Sequence, residues 1–227
     1  MTVDCVVYDA DGLARYDDAA EARAASGTTW VRVTGADRAE LEAVAAVFDV
    51  HPLAVEDVQN GIRPKTEEYP AYSFTLVKTA ELARGETSFD EEIREEAIGV
   101  FVGPDWLLTM STGDDEPVDR VWDAVTRGDE RLLQRGPDFT AYRVMDVVVD
   151  EYFVLLDRIE DQIEAIEEAV LVSTGIETVE AINGVRRDLL SFRRLAWPTR
   201  DAIGSLSRGD SAHVREDTEK YYRDVHD

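Results

Sequence analysis

The stretch FTAYRVMDVVVDEYFVLLDRIEDQIEAIEEAVL, residues 139–171, decides how this chain is organised. Apolar side chains recur at Tyr142, Met145, Val149, Tyr152, Leu156, Ile159, Ile163, Ile166 and Val170, in steps of three and four with no proline. That period predicts one unbroken helix, about 50 Å long at 1.5 Å per residue, which is longer than a compact domain requires. A break at 173–175 leads into a second helix, with Val179, Ile182, Val185, Leu189 and Phe192 as its expected apolar stripe. Trp197-Pro198 is expected to end or kink that helix, because proline lacks the amide hydrogen and crowds the preceding turn. The two helices read as an antiparallel hairpin over about residues 139–197. Acids on the first (Glu160, Asp161, Glu164, Glu167, Glu168) and arginines on the second (Arg186, Arg187, Arg193, Arg194) could pair across it. Exposed pairs contribute little, so two solvated faces are the simpler reading.

Upstream of the hairpin the pattern is mixed. Short β-branched or aromatic runs at 3–9, 30–34, 72–78, 97–102 and 106–111 predict strands, and Gly103-Pro104-Asp105 predicts a tight turn between the last two. Asp37 is a good N-cap for a helix with Leu41, Val44, Val47 and Phe48 on one face, and a further helix is expected over 117–127. Downstream, HVREDTEKYYRDVHD reads as the opening turns of another helix with Val214, Tyr221, Tyr222 and Val225 near one face. It carries no stop signal, which gives the expectation of a helix cut short. The fold class is therefore α+β: a layered α/β/α domain with a mixed sheet, a long acidic helical hairpin and the start of a further helix.

Composition narrows the function. The 227 residues include 49 Asp and Glu against 24 Lys and Arg, a formal charge of -25. Such a surface repels nucleic acid and anionic membrane. Only three of the bases are lysine (Lys65, Lys78, Lys220), and the Asp-rich, Lys-poor balance reads as adaptation to a high-salt cytosol, where a short Debye length screens self-repulsion. Cys5 is the only cysteine, alternates with Val3 and Val7, and reads as a buried strand position in a reducing compartment. No apolar signal segment opens the chain and no window approaches the length of a membrane span, so a soluble chain is expected.

Enzyme signatures are missing: no phosphate-cradling glycine motif, no nucleophile elbow, no HExxH. Metal binding is the one chemistry the residues support unaided. Mg²⁺ takes oxygen ligands and keeps several waters, so one or two carboxylates per ion suffice. Glu56 and Asp57 stand side by side in HPLAVEDVQNGIRPKTEEYP, residues 51–70, on a short element opened by Pro52. Adjacent helical residues diverge by about 100°, so the pair would serve one ion off the helix end or two separate ions. Asp146 heads an acidic stripe with Asp150, Asp157, Asp161, Glu164 and Glu168, which reads first as a hydrated face. A carboxylate-only, metal-dependent hydrolase and an ion-insensitive scaffold both stay open on these residues alone.

Four ordered segments carry a resemblance: HPLAVEDVQNGIRPKTEEYPAYSFTLVK, RVMDVVVDEYFVLLDRIEDQIEAIEEAVL, VRRDLLSFRRLAWPTRDAIGSL and YYRDVHD. With these the chain resembles the cytoplasmic part of the CorA family of magnesium and cobalt transporters; its first fifty residues match only in general pattern. The resemblance implies an α/β/α domain over 1–210 that includes the hairpin, then the start of a stalk helix over 211–227. It implies that both membrane helices and the Gly-Met-Asn pore signature lie outside this chain, whose only methionines are Met1, Met110 and Met145. The chain alone is then not expected to transport ions. It implies a homopentamer on the cytoplasmic side of the cell membrane, touching the membrane only through those missing helices, with regulatory Mg²⁺, or Co²⁺ or another divalent cation, bound between subunits. Asp57 would face Asp224 of the neighbour, and a second site would use Glu56 and Asp146. The loop QNGIRPK is one residue short of the family pattern and has Gly61 where a histidine would assist that second site. Arg63-Pro64-Lys65 reads as a structural turn into the next strand. A related zinc or cobalt transporter would keep the fold and change the metal sites.

Overall fold

The computed structural model describes residues 2–84, 91–113, 116–172 and 175–227. One mixed sheet forms the middle layer, built from β1 (Thr2–Asp9), β2 (Gly12–Tyr16), β3 (Thr28–Thr34), β4 (Lys65–Tyr69), β5 (Tyr72–Arg84), β6 (Glu91–Val102) and β7 (Trp106–Ser111). Their order across the sheet is β2-β1-β3-β7-β6-β5-β4. β3 and β7 run parallel; the other neighbours are antiparallel.

Side-chain alternation on these strands creates two cores. On β1, Val6 and Tyr8 face one way and Cys5 and Val7 the other; on β3, Trp30 opposes Val31 and Val33. The first layer over the sheet holds α1 (Ala19–Ala24), α2 (Arg38–Val47) and α3 (Pro52–Gln59). The opposite layer holds α4 (Glu116–Thr126), α5 (Glu130–Leu133), α6 (Pro137–Val172), α7 (Ile176–Ser207) and α8 (Glu216–His226). This is the α+β architecture expected from the sequence. Cys5 is buried, and burial foremost, with Asp18, Asp4 and Asp17 adding to it, pushes its thiol up to about 11, the state of an inert core residue.

Each predicted strand forms, and two more appear at the sheet edges. β2 and β4 have half-buried or exposed residues throughout, so they lack the apolar runs that announce a strand. The β6–β7 turn is Gly103-Pro104-Asp105, closed by the Gly103 amide donating to the Trp106 carbonyl at 2.9 Å. A side chain at Gly103 would sit 2.1 Å from the Trp106 indole nitrogen, which explains the glycine. Asp37 caps α2 in a capping box with Glu40, whose side chain accepts back from the Asp37 amide.

α6 spans 36 residues, in keeping with its periodicity. The expected break falls partly outside the described residues, at Ser173 and Thr174; Gly175 is the N-cap of α7. Trp197-Pro198 does not end α7, which continues to Ser207. The segment from Pro198 onward buries Thr199, Ala202, Ile203 and Leu206, and this burial offsets the roughly 3 kcal/mol that an internal proline costs. The Thr199 hydroxyl donates to the Leu195 carbonyl at 3.0 Å, one residue along from the carbonyl that the missing proline amide leaves free.

The hairpin stripe also differs from expectation. Val179, Ile182 and Leu189 stay 41–57% exposed, while Ala181, Gly184 and Leu195 turn inward. Val185 and Phe192 of the expected stripe do pack against the core, Phe192 edge-on to Tyr152 of α6, so the stripe holds in part and is widened by Ala181, Gly184 and Leu195. Nor do the opposite charges meet: among the described residues, the α6 acids Glu160, Asp161, Glu164, Glu167 and Glu168 form no ion pair with Arg186, Arg187, Arg193 or Arg194. The ion pairs of α6 run instead to Arg143 on its own surface, to Arg120 of α4 and to Arg215 ahead of α8. Among the described residues no helix is long and apolar enough to cross a membrane.

Candidate functional site

The four predicted ligands separate into two groups on opposite outer layers. Glu56 and Asp57 sit on α3. His51 caps this helix, its Nδ1 accepting from the Leu53 amide at 3.2 Å, and Pro52 occupies the first turn, where a missing amide hydrogen costs nothing. Ala54, Val55 and Val58 bury the inner face, so Glu56 and Asp57 are carried on its outer and lateral sides. As the helical angle requires, they diverge. Glu56 is exposed and its charge reaches Arg38 on α2, whereas Asp57 turns toward β4.

There Asp57 meets a partner that the sequence did not announce. The Lys65 ammonium lies 2.7 Å from Asp57 Oδ2 and 2.6 Å from Glu67 Oε1, with all three side chains partly exposed. Burial opposes the charge on Lys65, but the hydrogen bonds it donates to Asp57 and Glu67 outweigh this and raise its pKa. Lys65 in turn holds the Glu67 carboxyl below its usual range. The Tyr69 hydroxyl donates to the other Glu67 oxygen at 3.1 Å, and Tyr69 stacks on Tyr72 with ring centres 4.7 Å apart. The Arg63-Pro64-Lys65 turn is therefore more than a connection: it delivers one of three lysines in the chain to Asp57. The turn out of α3 passes through Gly61, at φ +52°, in the left-handed region that favours glycine.

Asp146 and Asp224 both belong to the other layer, on α6 and α8. The starts of α6 and α8 are clamped by Asp138, which is 1% exposed and accepts from both the Arg215 amide (3.0 Å) and its guanidinium (2.8 Å). The Tyr222 hydroxyl donates to the Asp138 carbonyl at 2.9 Å, and Tyr142 of α6 packs on Tyr221 and Tyr222 of α8. Tyr221 and Tyr222 thus pack over the opening turns of α6. Asp146 and Asp224 fall a little over two turns beyond Asp138 and Arg215, at about 3.6 residues per turn. Burial raises the Asp146 pKa first, Arg143 beside it opposes, and Asp150 and Asp224 raise it further. Asp224 itself is exposed.

The donors are all carboxylate oxygens, the hard ligands that suit Mg²⁺. Among the described residues no three Asp, Glu, His or Cys side chains converge as a metal-binding group. Sequence reasoning missed Lys65, Glu67 and Tyr69; the one available signal was a lysine in a chain that almost avoids lysine.

Comparison with known proteins gives a consistent answer. The family described as CorA-like Mg²⁺ transporter protein matches residues 25–227. The cobalt/magnesium transport protein CorA of Thermotoga maritima is 30% identical over 210 residues, covering 90% of this chain and 58% of that protein. Its namesake in Methanocaldococcus jannaschii is 25% identical over 182 residues, 76% of this chain and 55% of the relative. The chain thus spans less than three-fifths of the length of these relatives. The soluble domain of the M. jannaschii CorA has the same fold, with a TM-score of 0.78 at 19% identity over 99% of this chain and 86% of that one. The cytoplasmic domain of ZntB from Vibrio parahaemolyticus follows at 0.72 and 13% identity, over 100% and 87%. These relatives are named as transporters, not enzymes, and the match over most of its length establishes that the chain belongs to the CorA-like Mg²⁺ transporter family.

Proposed function

We propose that the chain is the cytoplasmic, Mg²⁺-sensing part of a CorA-type divalent-cation transporter, working as a homopentamer whose pore lies outside this segment. Regulatory Mg²⁺ bridges Asp57 of one subunit and Asp224 of the next, and a second, weaker site draws on Glu56 and Asp146. The observation that carries this reading is the separation of the candidate ligands onto opposite layers of one chain. An ion held by both groups needs two chains.

Mg²⁺ bound between subunits holds the assembly closed. When the ion leaves, facing carboxylates repel and the subunits part. Asp150 and Asp224 add like charge around Asp146, which Arg143 offsets in part, and this segment carries a formal -25. The ion shifts this equilibrium only by its differential affinity for the closed arrangement, so sparse ligands spread over repeated interfaces suffice. High monovalent salt screens both the repulsion and the attraction and moves the response to higher Mg²⁺.

The test is Mg²⁺-dependent protection from protease in the full-length transporter. Asp57→Ala and Asp224→Ala are expected to shift protection to higher Mg²⁺. Protection that follows the same Mg²⁺ curve in both variants would overturn the sensor assignment.

A further inference from the structure

Asp57 is not a vacant carboxylate. The Lys65 ammonium already holds it, at 2.7 Å, while reaching Glu67 at 2.6 Å on its other side. Lys65 opens β4 and is registered opposite Leu76 of β5, so its backbone is fixed by the sheet. Glu67 is anchored independently, through the Tyr69 hydroxyl at 3.1 Å and the stacking of Tyr69 on Tyr72. One tethered cation thus stands between two carboxylates, one of them held in place by other contacts.

We infer that Lys65 is a built-in competitor for the divalent ion at Asp57: it occupies Asp57 in the ion-free subunit and withdraws to Glu67 when the ion binds. This rests on the reading of Asp57 as a ligand. The physics follows from charge and tethering. An incoming Mg²⁺ brings twice the charge of the ammonium to the same oxygen, and the displaced ammonium keeps a carboxylate at equal distance. A monovalent ion brings only the charge that Lys65 already supplies, without the tether's high effective concentration. Lys65 therefore lowers the affinity for every cation and excludes monovalent ones most, a selectivity suited to a chain whose composition points to high salt. Glu67 is a positioning residue, acting on the ion only through Lys65.

The experiment has two readouts on the full-length protein. The first is the Mg²⁺ concentration at half-maximal protease protection, in wild type, Lys65→Met, Glu67→Gln, the double variant and Asp57→Asn. Methionine keeps an unbranched apolar side chain of similar length while removing the charge, which lies 5.9 Å from the centre of the Phe74 ring. Lys65→Met is expected to lower the half-point about tenfold, the effect of deleting one close, partly screened like charge. Glu67→Gln is expected to raise it several-fold, and in the Lys65→Met background to change nothing, the signature of action through Lys65. The second readout is acylation of the Lys65 amine. Mg²⁺ is expected to increase its labelling in Glu67→Gln and to leave it unchanged in wild type, where Glu67 retains the ammonium.

An Asp57→Asn half-point equal to that of wild type would overturn the ligand reading and the inference together. If Asp57→Asn shifts the half-point but Lys65→Met does not, the inference alone fails. It fails equally if Glu67→Gln keeps its full effect in the Lys65→Met background.

Discussion

Asp138 and Asp57 each hold a cation on a neighbouring element, on opposite faces of one sheet, and the two pairs have different fates. Asp138 is 1% exposed and accepts from both the backbone amide and the guanidinium of Arg215. Its removal would leave the Arg215 amide and guanidinium without their shared acceptor, so the pair is held by several bonds at once and ties the start of α8 to that of α6. Asp57 is 21% exposed and shares one ammonium with Glu67. Water and a second carboxylate are both at hand, so this pair can exchange. Burial and the number of partners, rather than the residue types, separate a structural carboxylate from an available one.

The comparison can be broken at its strong end first. Asp138→Ala is expected to destabilise the fold by about 3 kcal/mol, the low end for breaking a buried pair because Arg215 is itself half-exposed. At 2–4 °C per kcal/mol for a chain of this size, thermal melting should fall by roughly 6–12 °C. A loss below about 1 kcal/mol would place Asp138 with the exchangeable pairs.

Glu151 supplies an intermediate case. Its side chain is 19% exposed, about as buried as Asp57, but its nearest cation is Arg120 at 3.9 Å and its Oε1 is buried without a hydrogen-bond partner. It lines a groove of about 580 Å³ between the β5–β6 hairpin and α4 and α6, together with Glu81, Glu116, Arg94, Arg120 and Arg158. Burial, first, pushes its carboxyl up to about 6, partly opposed by Arg120. The folded chain therefore binds this proton more tightly than the unfolded chain does. The resulting stabilisation is complete below the unfolded value of about 4.5 and is lost as pH rises through about 6. Glu151→Gln is expected to stabilise the protein by about 1–2 kcal/mol at pH 7 and to have little effect at pH 4, measured by denaturant unfolding at both values.

Smaller effects probe the two pairs more finely. Tyr222→Phe removes one hydrogen bond to the Asp138 carbonyl from a fully buried ring and should cost about 1 kcal/mol. Asp57→Asn in metal-free buffer should change stability by less than about 1 kcal/mol, as expected of a partly exposed ion pair. A larger loss there would mark Lys65–Asp57 as structural and incompatible with exchange.

How much of this was legible beforehand varies by element. α6 is written in its period, because one long amphipathic face must be buried and 3.6 residues per turn leaves few ways to do so. The β6–β7 turn and the α2 cap are equally local, each set by a few residues whose conformational preferences need no distant partner. β2 and β4 could not be read in the same way: GLARY and KTEEY become strands because a neighbour offers hydrogen bonds, not because their side chains demand burial. Pro198 misled for a related reason, since burial of the α7 segment beyond it outweighs a local penalty. Glu56, Asp57 and Asp146 stood out as carboxylates, but Asp224 and the pairing of the four came only from the family pattern, and Lys65 not at all as their partner.

The sequence by itself determined the class of the fold, the two-helix hairpin, the acidic composition and the family, because periodicity, charge and motif order are properties of the chain read along its length. The tertiary structure decided which carboxylates are engaged. It put Asp57 against Lys65, let the charge of Asp224 act on Asp146, and set the two groups on opposite layers of the sheet. That assignment depends on distances through space and on burial, and neither exists until the sheet and its two helical layers have formed.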